Sequence, residues 1–349
     1  MSTVRTGIVG AGEIGRLTAR DLSAHPEAQI VAVADKSEVR AAELATRYGA
    51  QAFASLQAML EGCDLDAVYI GIPNRDHAQA AITALDAGKH VMLDKPFALN
   101  ALESQKIISA AHDAGRILFV GMNQRFDRNV QRARMLVGDG SLGDVYHARA
   151  FWRRRSGIPR IGSWFTSKAM SGGGTLLDIG VHVLDATCHI LDDFSVSSIS
   201  GATFTRFGQR GLGDGSWGRS ERTFDQFDVD DFAVALIRFA SGRTLSLETS
   251  WAQHQRDANA HGIELAGEEA GYSVFDDQLF RDAPGGGYMS LHGTPTAALP
   301  YPHCNRSQHF VNVVLNREEL LVRPEEALKI QKVIDAIYLS AELGKEVSL

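Results

Sequence analysis

Thr6-Gly7-Ile8-Val9-Gly10-Ala11-Gly12-Glu13-Ile14-Gly15 decides how the rest of this chain is read. A short apolar run leads straight into G-x-G-x-x-G, and a helical pattern starts inside the motif. Glycine triplets occur by chance in loops, so the strand before and the helix after carry the weight. Each glycine has a physical task. Gly10 makes a tight turn, Gly12 lets the backbone approach a pyrophosphate, and Gly15 lets the helix pack close to the strand. Glu13 and Ile14 open that helix, whose unpaired N–H groups attract phosphate. Asp35 stands twenty residues after Gly15, at the end of the next apolar run. A carboxylate there accepts hydrogen bonds from the adenosine ribose hydroxyls and repels a 2′-phosphate. NAD is the expected cofactor and NADP the less favoured one, with the adjacent Lys36 leaving room for some NADP use.

Outward from this motif, short apolar runs alternate with amphipathic stretches. Thr6–Val9, Ile30–Ala34, Ala67–Ile72, His90–Leu93 and Ile117–Val120 read as strands buried on both faces. Ile14–Leu22, Val39–Tyr48, Asp76–Ala87 and Leu102–Ala114 read as helices between them, which predicts a parallel sheet with helices on both sides. After about Gly121 the rhythm changes. Helices are expected at Asn129–Val137, Thr175–Leu191, His309–Leu315 and Pro324–Leu343. Alternating segments at Val145–Trp152, Val196–Phe204, Phe232–Phe239, Thr244–Trp251 and His261–Ala266 suit a mostly antiparallel sheet with one wet face. Phe207–Asp228, rich in Gly, Arg, Asp and Ser, reads as a long mobile loop, either a solvent loop or a lid on the substrate side. The fold class is α/β: a Rossmann dinucleotide-binding domain over residues 1–121, then an α/β domain with an open sheet over 122–349. The closing helix is a candidate to pack back on the first domain.

With 349 residues the chain exceeds the ~250–300 that one core holds, which agrees with two domains. Its 42 acidic residues outnumber 35 Lys and Arg, for a formal charge of −7. A chain this acidic is a poor nucleic-acid binder, and the one basic run, Arg153-Arg154-Arg155, is too short to reverse that. Cys63, Cys188 and Cys304 lie far apart, so neither a disulfide framework nor a structural zinc site is expected. Glu13 and Arg16 interrupt the first apolar stretch, and no window reaches the ~18 apolar residues of a membrane span. A soluble cytoplasmic protein without membrane partners is expected.

Two further segments bear on chemistry. Gly88-Lys89-His90-Val91-Met92-Leu93-Asp94-Lys95-Pro96 puts a lysine at the carboxyl tip of a buried strand, where open α/β sheets present ligand sites. Pro96 favours extended backbone at Lys95, so that the side chain projects from the tip. Ser171-Gly172-Gly173-Gly174-Thr175-Leu176-Leu177-Asp178-Ile179-Gly180-Val181-His182 places Asp178 and His182 four apart on one helix face. Asp185 and His189 continue the stripe, but at ~1.5 Å rise per residue Asp178 and His189 are roughly 16 Å apart. Metal–ligand distances are near ~2 Å, so no shared metal is expected, and Asp185 and His189 read as helix polar contacts.

Taken together, G-A-G-E-I-G, Asp35, Gly71-Ile72-Pro73-Asn74-Arg75-Asp76-His77, A-G-K-H-V-M-L-D-K-P and S-G-G-G-T-L-L-D-I-G-V-H resemble the Gfo/Idh/MocA oxidoreductases, the family of glucose–fructose oxidoreductase and inositol dehydrogenase. The resemblance runs through nearly the whole chain, with Asp94 where the family usually has Glu. It implies that Lys95, Asp178 and His182 meet at the nicotinamide, and that Ile72, Asn74, His77 and Asp94 lie near the cofactor. It also implies that the open sheet buries itself in a homodimer or homotetramer. Asn123 and Arg125, at the domain junction, are candidates to face substrate. Trp152 and Trp164 fall in segments resembling a branch that acts on sugars and glycosides, where an aromatic ring can cover a sugar face. The three arginines are candidates for an acidic substrate group, an interface or a solvated strand, while His303 and His309 read as structural. The implied function is NAD-dependent hydride transfer to or from a ring secondary alcohol of a sugar, glycoside or inositol-like cyclic polyol. An NAD-dependent glycosidase with transient oxidation, or a non-catalytic NAD-binding regulator, are the alternatives.

Overall fold

The structure, a computed structural model, describes residues 3–215, 227–293 and 298–349. The chain divides into two compact units. The first holds 1–122, 169–171 and 305–331; the second holds 123–168, 172–304 and 332–349. The sequence reading drew one boundary at 121/122. The chain instead returns to the first unit, because Asn305–Gln331 packs there.

In the first unit a six-stranded parallel sheet has the order β3-β2-β1-β4-β5-β6. Its strands are β1 (Val4–Val9), β2 (Ala28–Ala34), β3 (Gln51–Phe53), β4 (Ala67–Ile70), β5 (His90–Leu93) and β6 (Leu118–Val120). The helices between them are α1 (Glu13–Ser23), α2 (Glu38–Tyr48), α3 (Leu56–Gly62), α4 (His77–Asp86) and α5 (Ala101–Ala114). Ser37, Ser55 and Asn100 cap α2, α3 and α5 through their side-chain oxygens. Burial of every residue of β4, and of Val91–Leu93, explains why their sequences are apolar without alternation. Strand order reverses between β1 and β4, the switch point at which such sheets bind nucleotides. β3 and α3 were absent from the sequence reading. β3 has two exposed residues in three and gives no apolar run to detect.

The second unit is built on a nine-stranded sheet of order β14-β13-β12-β11-β7-β10-β9-β8-β15. The strands are β7 (Val145–Arg154), β8 (Val196–Phe204), β9 (Phe232–Phe239), β10 (Thr244–Ser250), β11 (Asn259–Gly267), β12 (Gly271–Ser273), β13 (Gln278–Asp282), β14 (Tyr288–His292) and β15 (Val347–Ser348). All neighbours are antiparallel except β7 and β10. The helices of this part of the chain are α6 (Arg128–Gly138), α7 (Lys168–Ser171), α8 (Val181–Leu191), α9 (Arg306–Val314) and α10 (Pro324–Leu343), α9 belonging to the first unit and α10 beginning there. Register assigns the faces. Ala148, Ala150, Leu245, Leu247, Ile263 and Leu265 pair on the inner face and are buried, while Arg149, Ser246 and Glu264 pair on the outer one. β12 to β15 are short strands toward the two ends of the sheet that the sequence reading did not extend to.

The helix expected over Thr175–Leu191 is two pieces: a π-helical turn over Leu176–Gly180, then α8. The glycine run before it is pinned by a residue distant in sequence. A Cβ on Gly174 would lie 1.8 Å from the Asp230 carbonyl oxygen. The Asp230 carboxylate accepts the N–H of Gly174 at 2.7 Å and of Leu176 at 2.9 Å, and the Tyr338 hydroxyl at 2.7 Å. The loop expected over Phe207–Asp228 is described at its ends only, residues 216–226 lying outside the described residues. At its start, the N–H groups of Arg206, Phe207 and Gly208 all converge on Asp231.

Candidate active site

The phosphate end is built as its glycines require. Gly10 has φ +97°, and a Cβ there would fall 2.2 Å from the Gly71 carbonyl oxygen; a Cβ on Gly15 would fall 1.8 Å from that of Gly10. Strand tip, turn and helix start thus approach as only glycine permits. Beside the position of a Gly12 Cβ there is open space, and Gly12 caps α1 without a side-chain bond, leaving room and N–H donors for a pyrophosphate. This cradle fits NAD. Asp35 accepts the Ala11 N–H at 2.8 Å and the Ser37 N–H at 2.8 Å, so the carboxylate is fixed beside the glycine turn. Arg40, one turn into α2, donates to the same carboxylate at 3.0 and 3.2 Å. Sequence reasoning missed Arg40 and weighed Lys36, which is exposed and pairs with Asp76 at 3.4 Å. We expect NAD to exceed NADP in kcat/KM by about tenfold, or roughly 1.4 kcal/mol. Asp35→Ser should shrink that ratio, since Arg40 is then released toward a 2′-phosphate. Equal efficiencies in the wild type would retire the assignment.

Lys95 follows β5. From Val91 to Ala98 every residue is buried except Lys95. The tip is held from beneath by Asp94, which accepts the Tyr69 hydroxyl at 2.7 Å, the Lys95 N–H at 2.8 Å and Arg306 at 3.1 and 3.3 Å. Burial alone would raise the Asp94 carboxyl, but the Arg306 charge and the hydrogen bonds hold it well below the usual carboxylate range. His77 is 1% exposed, and its two ring nitrogens meet the carbonyl oxygens of Pro96 and Ile72, each at 2.9 Å. Asn74 donates to the Ser171 carbonyl at 2.8 Å. Three side chains expected near the cofactor, those of Asp94, His77 and Asn74, therefore spend these polar atoms bracing the loops around Lys95.

His182 shows the same pattern in the second unit: of all residues in α8 it alone is not fully buried. Asp178, in the π turn, accepts the indole N–H of the fully buried Trp251 at 2.8 Å. The Trp152 ring lies 5.9 Å from the His182 ring and 4.5 Å from that of His261, which stacks on Phe275 at 4.2 Å. Burial pushes the His261 imidazole down to about 4, so it is neutral near pH 7, and Gln124 lies 3.2 Å from its Nε2. Trp251, His261 and Gln124 went unnoticed in the sequence, where no local pattern brings them to Trp152 and Asp178.

Arg125, expected to touch substrate, is instead fully buried and clamps Asp185 at 2.6 and 2.9 Å, with Phe194 5.3 Å from its guanidinium carbon. Its position one residue before the equally buried Phe126, beneath α8, removes it from solvent. Asp185 is thus a helix polar contact, as read. Asn123 is exposed. Trp164 stacks on Phe165 at 3.8 Å rather than on His182. His309 is fully buried against Glu318 at 2.6 Å and accepts the Leu321 N–H at 3.1 Å, a structural role.

A nucleotide cradle at a sheet's switch point, with a lysine at the next strand tip, defines an NAD-binding oxidoreductase. Residues 4–122 match the oxidoreductase family with an NAD-binding Rossmann fold, and 130–273 match the Gfo/Idh/MocA C-terminal domain. The chain is 32% identical to the D-glucoside 3-dehydrogenase of Escherichia coli K12, over 100% of this chain and 98% of that one. It is 30% identical to a putative UDP-kanosamine synthase oxidoreductase subunit of Amycolatopsis mediterranei, over 97% and 96%. Among solved structures it resembles levoglucosan dehydrogenase in complex with NADH and levoglucosan, with TM-score 0.84 and 22% identity over 99% of each chain. The protein belongs to the Gfo/Idh/MocA oxidoreductase family. Among the described residues no helix is long and apolar enough to cross a membrane.

Proposed function

We propose that this enzyme transfers hydride between NAD and a ring secondary alcohol of a sugar, glycoside or cyclic polyol. One observation carries the reading: in two otherwise buried segments the side chain that reaches solvent is Lys95 in one and His182 in the other. Core residues at those positions would be apolar, and a non-catalytic relative would not need a lysine and an imidazole there. The relatives named for glucosides, and for inositol in Rhizobium meliloti, support the substrate class.

Gly10, Gly12, Gly15 and Asp35 hold the dinucleotide, which when bound accepts or returns the hydride. His182 takes the hydroxyl proton as the alcohol is oxidised, acting as the general base. The Lys95 ammonium donates to the same oxygen and stabilises the charge that develops on it. Asp178, anchored by Trp251, orients the hydroxyl or the imidazole. Val234 and Phe204, exposed on the outer sheet face, mark where we place a homo-oligomer contact; a strict monomer by light scattering at micromolar concentration would exclude it.

Incubation with NAD and a panel of inositols, aldoses and glucosides tests the function. Net NADH is expected. Release of an aglycone without NADH would indicate a glycosidase, and tight NAD binding with neither product would indicate a regulator.

A further inference from the structure

The run Trp152-Arg153-Arg154-Arg155 separates by strand parity. Arg153 lies on the outer face with Phe151 and pairs with Glu248 at 3.4 Å. Arg155 lies past the strand end and donates to the carbonyls of Gln255 and Arg256. Arg154 shares the inner face with Trp152, opposite Asn259, at the end of β7 that carries the ring next to His182. Its guanidinium carbon stands 5.0 Å from the Trp152 ring centroid. Its stem fills the space a Cβ on Gly157 would occupy, at 2.5 Å. The side chain is half-buried and makes no hydrogen bond or ion pair with any described residue. The charge acting on it is Asp178, at a distance too great for pairing, while burial pulls its pKa down.

A guanidinium placed over an indole ring keeps its N–H donors for a polar ligand, and that planar fork matches an oxyanion in bidentate geometry. Burying a cation costs free energy that neutral hydroxyls offset only in part and an anion offsets well. We propose that Arg154 selects the substrate: it binds an oxyanion substituent, carboxylate or phosphate, on the sugar whose hydroxyl reacts at His182. This rests on the function proposed above and narrows its substrate class to acidic or phosphorylated sugars.

The test compares matched hexosides, hexuronides and hexose 6-phosphates in gluco, galacto and manno configuration, with NAD as oxidant. Wild-type enzyme should prefer one anionic series over its neutral counterpart by about tenfold or more in kcat/KM. The series preferred tells carboxylate from phosphate. Arg154→Met should abolish that preference, with a loss of about tenfold or more in kcat/KM confined to the anionic series, and Arg154→Lys should restore part of it. No preference in the wild type, or an equal loss on charged and neutral sugars in Arg154→Met, would overturn the proposal. Calorimetry of hexuronate and hexose 6-phosphate binding to the NADH-loaded protein separates the two readings if nothing is oxidised. Anion binding lost in Arg154→Met would support Arg154 while sinking the hydride-transfer assignment. Absence of binding to the wild type would sink Arg154 itself.

Discussion

Lys95→Ala and His182→Ala should each lower turnover by about 10²-fold or more, because positioned acid–base groups typically contribute 10²–10⁴. Both substitutions fall on the half-buried residue of a segment that is otherwise buried, so neither removes a side chain from the closed core. Affinity for NAD should survive, since Gly10, Gly12, Gly15 and Asp35 lie on other loops. The decisive pair of measurements is kcat at saturating substrate and NAD affinity by fluorescence quenching. Asp178→Asn is the informative third variant: an amide keeps the shape and an oxygen to accept the Trp251 indole N–H but loses the charge. A loss as large as that of His182→Ala would make the charge itself part of proton transfer; a mild loss would leave Asp178 an orienting group. If a good substrate is in hand and Lys95→Ala turns it over at the wild-type rate, the catalytic assignment collapses.

What could be read before any coordinates depended on how local the cause was. The glycine turn, the aspartate ending β2 and the lysine ending β5 are each specified by neighbours within a few residues, and the structure places them at the ends of strands of one parallel sheet. Long-range partners left no such trace. Asp94 meets Arg306 across 212 positions, and Arg125 meets Asp185 across 60. The exposed or buried fate of such residues follows from pairing that no period reveals. The π turn at Leu176–Gly180 is of the same kind, its glycine run being tethered by Asp230 from the far side of the chain. One feature was legible and passed over. Period-two alternation in Trp152-Arg153-Arg154-Arg155 already puts Trp152 and Arg154 on one face and Arg153 on the other.

Arg125→Met should cost stability rather than substrate affinity. Arg125 is 0% exposed and Asp185 1%, and their two bonds of 2.6 and 2.9 Å form a bidentate pair beneath α8. Removing one member of a buried pair leaves the other charge in a medium that solvates it poorly, typically at a cost of about 3–5 kcal/mol. For a unit of this size 1 kcal/mol moves Tm by roughly 2–4 °C, so a drop on the order of 10 °C is expected by calorimetry. KM measured well below the transition should stay near the wild-type value. The double variant Arg125→Met, Asp185→Leu should recover much of the loss, because apolar groups of similar volume often replace such a pair without penalty. The opposite pattern, a raised KM with Tm unchanged, would return Arg125 to the substrate side and contradict the burial on which this assignment stands.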